Sequence, residues 1–322
     1  MALLITGSMG HVGFELVRQA AARGQTVVAQ YRGTFRESDA KSIAGNVHWV
    51  RCDLTDDEAL GALAKSHRID ACIHTAAIPN EVYCRPDPLN AVRVNVGAVA
   101  ALLENARTRE WQRFINVSTG SVFQNATDVT KSVLEDRQQF ATNIYSTTKF
   151  CGELLTSMYR SQFDVPAANV RISWVYGQPM VPRERENPRG PIPYFLKCAL
   201  SGIPVREASG GDFAASFTHV SDVAAGLLAA ADAKTLNSDA YHLGAGVNYS
   251  TYQVGDAVRA AVPGADIVVG SGTAPWTDHT RMRGPLAGDR LFNDTGWRPA
   301  LSLEAGVRSF ADWMRSHPEV WK

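Results

Sequence analysis

The chain has 322 residues, 45% of them hydrophobic, and its 32 Lys and Arg are matched by 32 Asp and Glu. That length suits one large α/β unit, or a nucleotide-binding domain with a smaller companion. A zero formal charge offers no global field for nucleic acid or an anionic membrane, so neither is expected as a partner and any anion must be gripped locally.

The opening apolar run, residues 2–5, is too short for a secretory segment, and no apolar stretch is long enough to span a bilayer. Cys52, Cys72, Cys84, Cys151 and Cys198 show neither CxxC nor metal-ligand spacing. The expectation is a cytoplasmic protein with idle thiols and no metal.

The first predicted strand, residues 2–6, runs into Gly7-Ser8-Met9-Gly10-His11-Val12-Gly13, and a helix is predicted over 13–23. Such a turn lets backbone N–H groups and a positive helix end approach a pyrophosphate with no Cβ in the way, which makes Gly7, Gly10, His11, Val12 and Gly13 candidates for binding a dinucleotide. A second strand, 26–30, ends near Tyr31 and Arg32. An acidic residue there would accept hydrogen bonds from a free ribose 2′-hydroxyl, whereas an arginine pairs with a 2′-phosphate. Arg32 therefore favours NADP over NAD, with Arg36 as a weaker candidate.

Further strands are predicted at 47–51, 71–75, 113–117 and 167–172, alternating with helices at 56–65, 88–108 and 145–161. The alternation predicts a Rossmann-like, doubly wound parallel sheet of the α/β class. After Tyr176 the prolines at 179, 182, 188, 191 and 193 predict a loop or lid, followed by helices at 194–201, 221–231, 252–261 and 302–316. Residues 1–176 are thus expected to be mainly a dinucleotide-binding domain. Residues 177–322 are expected to be mainly a smaller C-terminal substrate-binding region, with 214–245 returning to the first domain.

Tyr145-Ser146-Thr147-Thr148-Lys149 is a YxxxK pair, which on a helix puts both side chains on one face. An ammonium beside a phenol favours the phenolate, so Lys149 is expected to lower the Tyr145 pKa towards neutrality.

Together with the N-terminal glycines, this pair resembles the extended short-chain dehydrogenase family, also called the NAD-dependent epimerase/dehydratase family. The similarity runs along nearly the whole chain. Asp53-Leu54 resembles the family's adenine contact, His74-Thr75-Ala76-Ala77 its strand-four cofactor segment, and Asn95-Val96 its helix-four Asn-Val. Val117-Ser118-Thr119-Gly120-Ser121-Val122-Phe123 is similar to the segment supplying a catalytic hydroxyl, with Thr119 as the match and Ser118 in reserve. Arg171 to Gly177, Phe217 to Val223 and Gly296-Trp297-Arg298-Pro299 are further landmarks.

The resemblance implies hydride transfer at a secondary alcohol or its ketone. Tyr145 would exchange the proton on oxygen, Thr119 would bond that oxygen, and Lys149 would hold the nicotinamide ribose. For Asn95 and Asp222 a purely structural role is favoured. The resemblance also implies a homodimer built through the helices at 88–108 and 145–161.

Sugar-nucleotide members commonly grip the substrate diphosphate with an Asn and an Arg where this chain has Trp174 and Ala215. Neither replacement carries a charge for a phosphate. Dehydratase members place an Asp-Glu pair where Gly120-Ser121 stands, so dehydration is disfavoured. Tyr83, Arg85, Trp174, Arg183 and His219 are substrate-side candidates, although His219 reads more readily as a core position. The first expectation is an NAD(P)-dependent dehydrogenase or reductase acting on a sugar-like substrate. The alternative is a sugar or nucleotide-sugar epimerase with a transient ketone, and a third reading is a dinucleotide-sensing regulator without chemistry.

Overall fold

The computed structural model describes residues 2–124, 128–181, 189–277 and 279–322. Six strands form in chain order through the first half: β1 (Ala2–Thr6), β2 (Thr26–Tyr31), β3 (Val47–Arg51), β4 (Ile69–His74), β5 (Arg113–Thr119) and β6 (Ala167–Ile172). With Ala240–Leu243 they make one sheet, in the order Ala240–Leu243, β6, β5, β4, β1, β2, β3, with every neighbour parallel. Alternate residues of a strand face opposite sides, and here both sides are covered. Leu3 and Ile5 join a core with Leu16, Val17, Val223 and Leu227, while Leu4 joins Leu60, Leu102, Leu103 and Phe114 on the other face.

Strand order reverses between β1 and β4, which opens a crevice at their carboxyl ends. The helix α1 (His11–Ala22) starts at that crevice and packs on the Val220–Asp232 helix. A separate apolar core, with Phe195, Leu196, Val258, Val307 and Phe310, holds the C-terminal helices together, and Trp174 packs against it at the edge of the crevice. Residues 214–245 are shared: Phe217–His219 pairs with Trp174–Tyr176, and Ala240–Leu243 completes the central sheet.

The continuous helix expected over 88–108 is broken. Pro88–Val92 and Ala98–Thr108 are α-helical, but Arg93–Gly97 between them is a π turn. The extra residue turns Asn95 inward, where its Oδ1 accepts from the Ile78 N–H at 2.8 Å and its Nδ2 donates to the Ile78 carbonyl and the Thr148 hydroxyl. Satisfying that buried amide outweighs the regular hydrogen-bond ladder. Among the described residues, no helix is long and apolar enough to cross a membrane, and no His/Cys/Asp/Glu cluster could hold a metal ion.

Candidate active site

A cleft of about 940 Å³ lies over the crevice, and Gly7, Gly10, His11, Val12 and Gly13 form its first wall. Gly7 has φ +66°, and a Cβ there would come within 2.8 Å of the Ala76 Cα. A Cβ on Gly13 would come within 2.2 Å of the Gly7 carbonyl oxygen. The loop is therefore closed on itself and on Ala76, and only hydrogen fits at either position. Gln30 braces it from β2: its Oε1 accepts from the Gly7 N–H at 2.9 Å, and its Nε2 donates to the Cys52 carbonyl.

Helix α1 has no side-chain cap at Gly10 and no acidic residue in its first turn. Its first N–H groups and positive end remain available to an anion, so the cradle fits a pyrophosphate. The His11 ring lines the cleft but is engaged, with Nε2 donating to the Gly177 carbonyl at 3.0 Å. Burial lowers its pKa to about 4, so it is neutral near pH 7.

Arg32, Arg36, Asp53 and Leu54 line the far end of the cleft, where an adenosine would lie. Asp53 accepts from the Thr55 N–H and hydroxyl, and these bonds, aided by nearby Arg32, hold its carboxyl below the usual range. Arg36 is committed: it pairs with Asp39, covers the Phe14 ring and donates to the Met9 carbonyl at 2.8 Å. Ala76 and Ala77 follow β4 into the middle of the cleft.

Tyr145 and Lys149 line the cleft from the first turns of the Ile144–Phe163 helix. Asn143 caps that helix by accepting from the Ser146 N–H at 2.8 Å, and Ser146 Oγ accepts in return from the Asn143 N–H. Buried Glu81 accepts from the Tyr145 N–H at 3.0 Å, which fixes the turn carrying the phenol. The Thr119 hydroxyl, at the end of β5, reaches the phenol and favours its ionised form. Ser118 also lines the cleft, and its buried Oγ has no hydrogen-bond partner among the described residues.

The electrostatics differ from the sequence expectation. Burial raises the Tyr145 pKa above its ordinary 10, and among the described cations it is Arg283, rather than Lys149, that opposes the rise. Lys149 is 3% exposed, and burial brings its own pKa down to about 8 despite the attraction of Glu153. Desolvation penalises both charged forms, an effect that residue spacing cannot reveal.

Other expected site residues divide sharply. Tyr83 and Trp174 line the cleft, Trp174 also packing against Phe213 and Phe217. Asn95 lies behind the wall, holding Ile78 and Thr148, and Asp222 accepts from the Ala300 and Leu301 N–H groups. Arg85 is exposed at the end of the short Asn80–Cys84 helix and does not line the cleft. His219 is buried, does not line the cleft and caps the Val220–Asp232 helix through Nδ1. Arg183 lies outside the described residues. Three residues with no sequence signal matter here: Gln30, Glu81 and Arg283. Each arrives through a contact across long sequence separation.

The NAD dependent epimerase/dehydratase family model matches residues 3–244. The chain belongs to this family. Members are NAD-dependent enzymes of the extended short-chain dehydrogenase type. The UDP-glucose 4-epimerase of Mycolicibacterium smegmatis is 25% identical over 328 residues, covering 98% of this chain and 99% of that protein. A trifunctional UDP-glucose 4,6-dehydratase/UDP-4-keto-6-deoxy-D-glucose 3,5-epimerase/UDP-4-keto-L-rhamnose-reductase of Arabidopsis thaliana is 26% identical over 99% of this chain, which spans 48% of its length. Among solved structures, the Thermus thermophilus UDP-glucose 4-epimerase in complex with NAD superposes with TM-score 0.83 at 24% identity, covering 98% of this chain and 99% of that one. The likeness in structure carries the fold.

Proposed function

We propose that this family member is an NAD(P)-dependent oxidoreductase that transfers a hydride to or from a secondary alcohol or ketone of a sugar-like substrate. The observation that supports it most is the convergence of Tyr145, Thr119 and Lys149 in the same cleft as the glycine cradle. When bound there, NAD or NADP would supply the hydride acceptor or donor. The protein's own part is acid-base and positional. The Tyr145 hydroxyl would give or take the proton on the reacting oxygen, Thr119 would hydrogen-bond that oxygen, and Lys149 would hold the ribose of the cofactor.

Residues 177–322, apart from 214–245, form the substrate-binding region in this reading. NADP is the favoured cofactor, since the end of β2 offers Tyr31 and Arg32 and no carboxylate. A sugar or nucleotide-sugar epimerase is the second reading, favoured by the Mycolicibacterium relative. Against a nucleotide sugar stand Trp174 and Ala215 in place of charged or amide side chains. A homodimer is supported by exposed Leu89, Val92, Leu154 and Met158 on the Pro88–Val92 and Ile144–Phe163 helices, and a cytoplasmic setting by five free thiols.

The deciding experiment follows reduced-nicotinamide absorbance with NAD and NADP over sugars, sugar acids and UDP-glucose. A stoichiometric change with substrate supports net redox. Conversion of a sugar to its epimer without that change supports the second reading. Cofactor binding with neither outcome defeats both and favours a dinucleotide sensor.

A further inference from the structure

The Arg283 side chain lies against Gly120, where a Cβ would meet its Nε at 3.0 Å and its Nη2 at 3.2 Å. Gly120 directly follows Thr119, so the guanidinium stands at the reacting end of the cleft, within electrostatic reach of the Tyr145 hydroxyl. No carboxylate among the described residues pairs with it. Gly120 and Ser121 offer no acidic group, while Glu81 is spent on the Tyr145 N–H and Asp53 lies at the adenosine end.

Its backbone is fixed before any ligand arrives. The Asn248 Nδ2 donates to the Arg283 carbonyl at 2.7 Å, and Asn248 is itself held by Ser216. The next turn of chain pairs with Val133, whose N–H donates to the Pro285 carbonyl and whose carbonyl accepts from the Ala287 N–H. The half-buried guanidinium has lost part of its water without gaining a counter-charge among the described residues, and this partial burial brings it down to about 10.

We infer that the substrate supplies that counter-charge: Arg283 binds a carboxylate one or two carbons from the reacting hydroxyl, so the enzyme acts on a sugar acid. A planar guanidinium beside the proton-transfer residue takes a carboxylate through two parallel hydrogen bonds and thereby sets which carbon faces Tyr145. The inference rests on the oxidoreductase reading for the identity of the reacting group, but not for the anion site itself.

The test is calorimetric titration of the NAD- or NADP-loaded enzyme with gluconate, galactonate, glucuronate and galacturonate. Glucose, galactose and glucose 6-phosphate serve as comparison probes, with turnover measured in parallel. At least one acid should bind at least about tenfold more tightly than its neutral partner. Arg283→Met should weaken that acid by about a hundredfold and its neutral partner far less, and Arg283→Lys should recover part of the acid-specific loss. In turnover, any loss of kcat should be common to acids and neutral sugars, since Arg283 also faces the Tyr145 phenol, and only the acids should lose KM besides.

Failure of every acid to bind, equal losses for acid and neutral sugars, or tighter binding of the phosphate than of any acid overturns the inference. A kcat loss shared by acids and neutral sugars with no acid-specific loss in binding or KM would show a cation serving the phenol alone and likewise overturn the inference. Acids that bind through Arg283 without turnover would uphold the carboxylate site and overturn the oxidoreductase reading.

Discussion

The floor and the roof of the cleft are built by different means. The floor consists of strand ends and first helical turns: Gly7 after β1, Ala76 after β4, Thr119 closing β5, and Tyr145 inside a capped helix. Its geometry is held by backbone hydrogen bonds and by positions where a Cβ has no room. The roof comes largely from irregular chain, with Met180, Arg189, Thr277 and Arg283 contributed by separate stretches. The contrast teaches that the reaction and its target are written into different kinds of structure. A rigid sheet edge fixes where a proton and a hydride move, and the covering loops decide which molecule is presented.

The sharpest way to break this division is Tyr145→Phe. The floor reading expects turnover to fall by at least about a thousandfold with cofactor affinity nearly unchanged, because the hydroxyl acts on the substrate oxygen. Absorbance at saturating substrate and a fluorescence titration of reduced cofactor check the two parts, and wild-type turnover would refute the role.

Glu153→Ala tests what supports the floor from behind. Glu153 makes a buried ion pair with Arg171, Nη2 to Oε2 at 2.7 Å, and Arg171 also donates to the Glu135 carbonyl. Losing one partner strands a buried charge, an expected cost of about 3–5 kcal/mol in denaturant unfolding. An unchanged midpoint would show that the pair is dispensable.

Gly13→Ala should abolish most of the thermal stabilisation given by NAD or NADP, since the new methyl meets the Gly7 carbonyl. Retained cofactor shifts would place the pyrophosphate elsewhere. A smaller effect is expected at the adenosine end: Arg32→Ala should weaken NADP about tenfold and leave NAD nearly unaltered. Equal effects on the two cofactors would remove the argument for NADP.

The last test concerns pH and the fold as a whole. Burial lowers His74 and His242 from 6.5 to about 3. The unfolded chain takes up these protons near pH 6.5 while the folded chain resists them. Their stabilising contribution is therefore intact above 6.5 and is lost as pH falls towards 3. Melting temperature should drop from pH 7 to pH 4.5, less steeply in His242→Gln; a slope identical to wild type would exclude His242 as a source.

Much of the floor was legible because its determinants are local. A strand, three spaced glycines and a helix follow one another within residues 2–22, and YxxxK needs one helical turn. The roof was not, since the placement of Arg283 depends on Asn248, Val133 and the missing Cβ of Gly120, which share no sequence neighbourhood. His219 was ambiguous for the same reason: its sequence position does not show that Nδ1 is taken by Ser221. The pKa expectation for Tyr145 erred because spacing reports a nearby ammonium but not the desolvation acting on both groups. The break at Arg93–Gly97 was hidden because every residue of 88–108 after the proline tolerates a helix, and what interrupts it is an amide's tertiary partners.

That break has a geometric consequence. An α-helix advances about 100° per residue, so one extra residue in a turn rotates all that follows by roughly that angle. Before the π turn, Leu89 and Val92 point outward; after it, Val99, Leu102 and Leu103 point into the core. A single amphipathic stretch is thereby re-phased midway, presenting oil to the outside along its first turns and to the interior along its last. Removing one residue from Arg93–Gly97 would undo this offset and force one of the two faces to turn the wrong way.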